Sequence, residues 1–198
     1  VRTILRDRLL DAAAASFAEQ GWRRLTMAKV ADRAGVSRQT VYNEFGTKQA
    51  LAEQLVMREL DVFLDVVREG FESQSQFEPA VRAAVLNALT VAEENALLKA
   101  VLEAGHTGDT ELLPYIFQSQ DVIDTAVGFL HDLVVLHFPD LPLRGEPLAV
   151  ALESVVRLAL SHLTVPARSK ARTADDLAWI AGAVLAGVAS AETRPAGA

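Results

Sequence analysis

The sequence contains no cysteine, which excludes disulfides, thiol nucleophiles and every metal site built on thiolates. It also lacks any run of about 18 uncharged apolar residues, the length a membrane-spanning helix requires. The nearest stretch, from Leu177 to Ala191, is Ala- and Gly-rich and lies between Asp176 and Glu192. Arg2, Arg6, Asp7 and Arg8 break up the apolar core of a secretory leader, so the expectation is a soluble, cytoplasmic protein with no membrane partner. Enzyme signatures are missing too. There is no Gly-rich phosphate loop, no Gly-x-Ser-x-Gly elbow and no His pair at i, i+4 for a metal. His131 and His137 are six apart and fall on different helix faces. The expectation is a non-enzyme without metal or cofactor.

What is present is 198 residues, 51% hydrophobic and 23% charged, ample for a sizeable core. The mean hydropathy of +0.19 is high for a soluble chain and points to a large apolar cavity or to apolar surface shared with a second subunit. The charge is split. Residues 1–48 hold nine basic and five acidic side chains, a net of +4, whereas the remainder is at −11 within the total of −7. A basic end on an acidic body suits a polyanion-binding head; the plainer alternative is a chance excess on a solvated face.

Strand-like alternation is absent and almost every segment reads as helix. A first helix runs from about Thr3 to Gln20 and is stopped by Gly21. Thr26 caps a second, in which Met27, Val30, Ala31 and Ala34 form one buried face. Gly35 ends it and Ser37 caps a third, about Arg38 to Glu44. Gly46 breaks the chain, Thr47 caps, and a fourth helix reaches about Glu72. After a polar linker, a fifth carries Pro79 in its first turn and ends near Glu93. A sixth spans Asn95 to Ala104, a seventh Asp121 to His137, and an eighth Pro147 to Thr164. Thr173 is the expected cap of the ninth.

Two short helices joined by Ala34-Gly35-Val36-Ser37 form a helix-turn-helix pattern. On the third helix Val41 and Phe45 face inward, leaving Arg38, Gln39, Thr40, Tyr42 and Asn43 on outward or flanking faces. Arg suits guanine edges, Gln and Asn suit adenine, and a Thr methyl suits a thymine methyl. The Tyr42 hydroxyl suits a phosphate. Lys48 and the N–H groups after Thr47, like those after Thr26, lie at helix N-termini, which attract anions. Ser37 completes this candidate DNA-contact set. A surface helical hairpin with solvated polar residues is the alternative.

The string Thr26-Met27-Ala28-Lys29-Val30-Ala31-Asp32-Arg33-Ala34-Gly35-Val36-Ser37, followed by Val41-Tyr42-Asn43-Glu44-Phe45-Gly46-Thr47-Lys48-Gln49-Ala50-Leu51, resembles the TetR family of bacterial transcriptional regulators. The resemblance is dense over about the first 55 residues; beyond them only the all-helical architecture matches. It implies an all-α fold of about nine helices, with a three-helix DNA-binding head over 1–48 and a ligand-binding and dimerisation domain over 49–198. It further implies a two-fold symmetric dimer, usually repressing, released from a near-palindromic operator by a small molecule. Asn43-Glu44 departs from the commoner aromatic or His pair before Phe45, and Gln49 from the usual acid; these shift operator preference rather than fold.

In the body, helix periodicity places Leu148, Leu152, Val155 and Ala159 on one arc with His162, and Ile123, Val127, Leu130 and Val134 on another with His137. Asn87 and Thr90 stand among apolar residues of the fifth helix. Apolar arcs with single polar groups suit a cavity for a lipophilic effector, such as a fatty acid or acyl compound; satisfied core histidines are the alternative. The family resemblance makes His106, in the turn after the sixth helix, a candidate sensor. Ala178, Gly182 and Ala186 form a small-residue strip that allows close backbone approach, and the family resemblance implies that it builds the dimer interface with the eighth helix; burial within one subunit is the other reading. An enzyme, or a lipid-binding protein with a vestigial DNA head, is the competing function.

Overall fold

Capping residues set most of the helix boundaries. The computed structural model describes residues 2–99, 119–164 and 168–192, and among these all regular secondary structure is helical. The elements are α1 (Arg2–Gln20), α2 (Met27–Ala34), α3 (Arg38–Phe45), α4 (Lys48–Glu72), α5 (Phe77–Glu94), α6 (described over residues 96–99), α7 (Gln120–His137), α8 (Gly145–Thr164) and α9 (Lys170–Glu192). The all-α expectation holds. Among the described residues no helix is long and apolar enough to cross a membrane. The rest of the expected sixth helix, the turn carrying His106, and the C-terminal tail lie outside the described residues.

One boundary differs from expectation. α9 begins at Lys170, and Thr173 is buried inside its first turn rather than capping it. Ser169 takes the capping position: its hydroxyl accepts from the Arg172 N–H at 3.4 Å, and its carbonyl from the Thr173 N–H at 2.9 Å. Both residues are good cap formers. Starting at Ser169 adds a helical turn and places Thr173 within it, buried as are Ala174 and Leu177.

The described chain divides into two compact units. The first comprises residues 2–61, 94–99 and 119. Its core joins Leu9, Ala13 and Phe17 of α1, Val30 and Ala31 of α2, Val41 of α3, Leu51 of α4 and Leu97 of α6. Phe17 meets Trp22 edge to face, with centroids 6.3 Å apart. Full burial of each large apolar side chain is worth about 1.5–3 kcal/mol. Asn95 caps α6, accepting from the Leu98 N–H at 2.8 Å and donating to Glu59 at 2.7 Å.

The second unit comprises residues 62–93, 120–164 and 168–192. Its core gathers Phe71, Ala84, Leu89, Val134, Leu148, Leu152, Leu177 and Ala178. Phe138, in the turn after α7, stacks edge-on against Phe77 and Phe71 at 5.5 and 6.1 Å. α4 and α5 meet backbone to backbone at Gly70, where an added Cβ would lie 2.5 Å from the Ala84 nitrogen. Of the small-residue strip of α9, Ala178 and Gly182 face the chain's own second unit, and Ala186 is exposed. Ala178 is buried in the core, and the Glu78 carboxylate of α5 covers Gly182. The exposed face of α9 carries Trp179, 67% exposed, with Ala183, Val184 and Gly187.

Candidate DNA interface and ligand-binding residues

The turn between α2 and α3 is built by hydrogen bonds that the sequence dictates locally. The Thr26 hydroxyl accepts from the Lys29 N–H at 3.3 Å and starts α2. At its other end Gly35 adopts a left-handed φ of 67°. The Gly35 N–H donates to Asp32 O at 3.2 Å and the Val36 N–H to Ala31 O at 3.0 Å. This paired closure needs a residue without a Cβ penalty at the glycine position. Val36 then packs against the first unit's core. The Ser37 hydroxyl accepts from the Thr40 N–H at 3.1 Å and also bonds the Thr40 hydroxyl. Thr47 caps α4 by accepting from the Ala50 N–H at 3.0 Å.

Two side chains, Val41 and Phe45, bury α3 against the first unit's core. Arg38, Gln39, Tyr42 and Asn43 are exposed, and Thr40 is half-buried. The Gln39 amide donates to Asn43 Oδ1 at 2.8 Å, so two of these polar groups form one i, i+4 pair on the outer face. The geometry therefore brings Arg38, Gln39, Tyr42 and Asn43 onto one exposed helix, flanked by the caps Thr26, Ser37 and Thr47.

Much of the surrounding basic charge is structurally engaged. Arg33 grips Glu19 through two bonds of 2.7 and 2.6 Å, and this hydrogen bonding holds the Glu19 carboxyl below its ordinary range. Arg8 donates to Ala34 O at 2.7 Å, placing a cation at the C-terminus of α2, where the helix dipole favours it. Lys48 donates to Trp22 O at 2.6 Å, and its ammonium lies 4.4 Å from the Trp22 ring centroid. Arg6 donates to Glu44 at 2.7 Å and Gln54 at 2.6 Å, and covers the Phe45 ring at 5.3 Å. Sequence reasoning missed the Lys48–Trp22 and Arg6–Glu44 contacts. The one available signal was Glu44 itself, an acid on a helix otherwise suited to DNA.

In the second unit, Val134 and Leu152 are buried in the common apolar cluster, with Val127, Leu130 and Ala159 packed against it. Ile123 is buried outside that cluster, and Val155 and His162 are half-buried. The polar candidates have partners within the chain. Asn87 donates to Val66 O at 3.1 Å, Thr90 to Leu86 O at 2.8 Å, and His137 Nδ1 lies 2.9 Å from Leu133 O. Each of these groups retains further hydrogen-bonding capacity by its chemistry.

Comparison with known proteins gives matches in both parts of the chain. Residues 9–55 match the model of bacterial regulatory proteins of the tetR family, and residues 77–183 that of the bacterial tetracyclin repressor C-terminal domain. The HTH-type transcriptional regulator AlkX of Mycobacterium tuberculosis is 30% identical, over 89% of this chain and 83% of its own. The HTH-type transcriptional activator FasR of Mycolicibacterium smegmatis is 34% identical, over 40% of this chain and 36% of its own. Among solved structures, the TetR family repressor AlkX from Dietzia sp., described as implicated in biodegradation of n-alkanes, superposes with a TM-score of 0.75. It is 22% identical and covers 92% of this chain and 95% of its own.

Proposed function

We propose that this chain, which belongs to the TetR family of bacterial transcriptional regulators, acts in the cytoplasm as a homodimeric repressor whose α3 reads a near-palindromic operator. The observation that carries the reading is the exposed face of α3, with Arg38, Gln39, Tyr42 and Asn43 held outward by buried Val41 and Phe45. Two copies would enter successive major grooves. Arg38, Gln39 and Asn43 take base edges and the Thr40 methyl a thymine methyl. Tyr42, Lys48 and the capped helix starts at Thr26, Ser37 and Thr47 take phosphates. Arg38→Ala or Gln39→Ala is expected to cost about 1–3 kcal/mol on specific sites only, whereas Lys48→Ala weakens all DNA and lowers the salt slope by about 1. Equilibrium titrations over a salt series check this; unchanged binding in all three variants contradicts the assignment.

Dimerisation is assigned to α8 and α9, with residues 1–48 as the DNA-binding domain and 49–198 as the ligand-binding and dimerisation domain. Exposed Trp179 and Val184 of α9, with Val150 and Leu158 of α8, supply apolar surface that a second copy would cover. A monomer mass by light scattering at all concentrations would refute it. The effector is proposed to be lipophilic, a fatty acid or acyl compound, entering among α5, α7 and α8. The apolar arcs of Val127, Leu130, Val134, Leu152 and Ala159 support it, with Asn87, Thr90, His137 and His162 as polar ends. α4 contributes residues to both units and offers a covalent route for coupling. A ligand shifts operator affinity only by its differential affinity for the two states, typically about 1–3 kcal/mol. Mass spectrometry of an organic extract of the purified protein tests the class, and a polar metabolite there would overturn it.

A further inference from the structure

We infer that Arg6 is a positioning residue for sequence recognition, locking the tilt of α3 through Glu44; this rests on α3 being the reading helix. Only two apolar side chains of the eight-residue α3, Val41 and Phe45, are buried, so apolar packing alone fixes its tilt weakly. Its last turn is pinned differently. The Glu44 side chain is 8% exposed and meets the Arg6 guanidinium at 2.7 Å. A carboxylate so sheltered needs a charged partner. Arg6 reaches it from α1 while donating to Gln54 of α4 at 2.6 Å and covering the Phe45 ring. One planar cation thus ties three helices together, a task that uses the fork and flat face of Arg and that Lys cannot reproduce.

The consequence is geometric. An eight-residue helix is about 12 Å long, so a tilt of about 10° about one end moves the other by about 2 Å. That exceeds the tolerance of base-edge hydrogen bonds. Phosphate attraction tolerates it, because it depends on charge more than on direction. Loosening the clamp should therefore lower discrimination while leaving non-specific affinity in place.

The test uses the full chain, a duplex that the wild type enriches from a random-sequence library, and a random duplex as control. Arg6→Lys keeps the charge and loses the fork. Glu44→Gln keeps the shape and removes a negative charge near the DNA-facing helix. Each is expected to weaken the selected duplex by about tenfold, the size of one lost base contact. Random-duplex affinity and its salt slope should be unchanged in Arg6→Lys, and affinity unchanged or higher in Glu44→Gln. Equal loss on both duplexes in Arg6→Lys, or a discrimination ratio within about twofold of wild type in both variants, overturns the inference. Hydrogen exchange on the DNA-free chain reads the clamp separately, with the amides of residues 42–46 exchanging faster in both variants. If the wild type enriches no sequence while that exchange still rises, the operator reading fails and the clamp stands. If a sequence is enriched but exchange and ratio are unchanged, the clamp fails and the operator reading stands.

Discussion

Replacing Phe17 by alanine is expected to destabilise the first unit by about 3–5 kcal/mol, the range for removing a fully buried aromatic side chain. Phe17 is completely inaccessible and belongs to the cluster that joins α1 to α2 and α3. Its ring also supports Trp22, whose own face is covered by Lys48. A cavity there removes packing from the elements that present α3. For a chain of this size a loss of that magnitude lowers the melting temperature by roughly 6–20 °C. Calorimetry should show the melting transition of the chain shifted by that amount, and DNA affinity at 37 °C falling with it. A shift of only a degree or two would mean that the head does not depend on this core.

The second large effect is expected at Gly70, and its sign opposes helix propensity. Glycine within a helix is worse than alanine by about 1 kcal/mol, so Gly70→Ala on an open face would stabilise. Here the new Cβ would sit 2.5 Å from Ala84 N, 2.6 Å from Ala84 Cα and 2.9 Å from the Ala83 carbonyl carbon. All three are backbone atoms of α5, so no side chain can swing away. Overpacking typically costs about 1–3 kcal/mol and occasionally more; with three backbone atoms within 3 Å the upper end applies, leaving a net loss of about 2 kcal/mol after the propensity gain. Gly70→Val should be worse still. Gly128 of α7, exposed and with nothing within 4 Å of an added Cβ, is the control, and alanine there should be neutral or stabilising. Urea denaturation decides it, and a Gly70→Ala variant as stable as wild type would show that α4 and α5 separate at little cost.

The helix-turn-helix was legible because its boundaries are chemical and local. Thr26, Ser37 and Thr47 cap, Gly35 and Gly46 take positive φ, and Val41 and Phe45 are four apart on a short helix. Local chemistry also misled where two cap formers competed, and the start of α9 fell to Ser169 rather than Thr173. The Ala178-Gly182 strip shows a different limit. Small residues at helical spacing mark a close approach, but not whether the approaching group is a second subunit or, as here, the Glu78 side chain of the same chain. Arg6 and Glu44 lie 38 residues apart, and no periodicity links an acid on one helix to a base on another. For the ligand residues, periodicity identified inward faces such as Val134 and Leu152. An inward face is common to a packed core and a lined cavity, so periodicity alone does not separate the two.

The central claim is that α3 reads a specific duplex. The most direct measurement is enrichment of double-stranded DNA from a random library by the wild-type chain at physiological salt, with Arg38→Ala in parallel. The account predicts an inverted repeat whose half-sites lie about one helical turn or slightly more apart, with Arg38→Ala losing preference at one symmetric position in each half-site. Enrichment of no sequence by the wild type, or an identical sequence profile from both proteins, would contradict it.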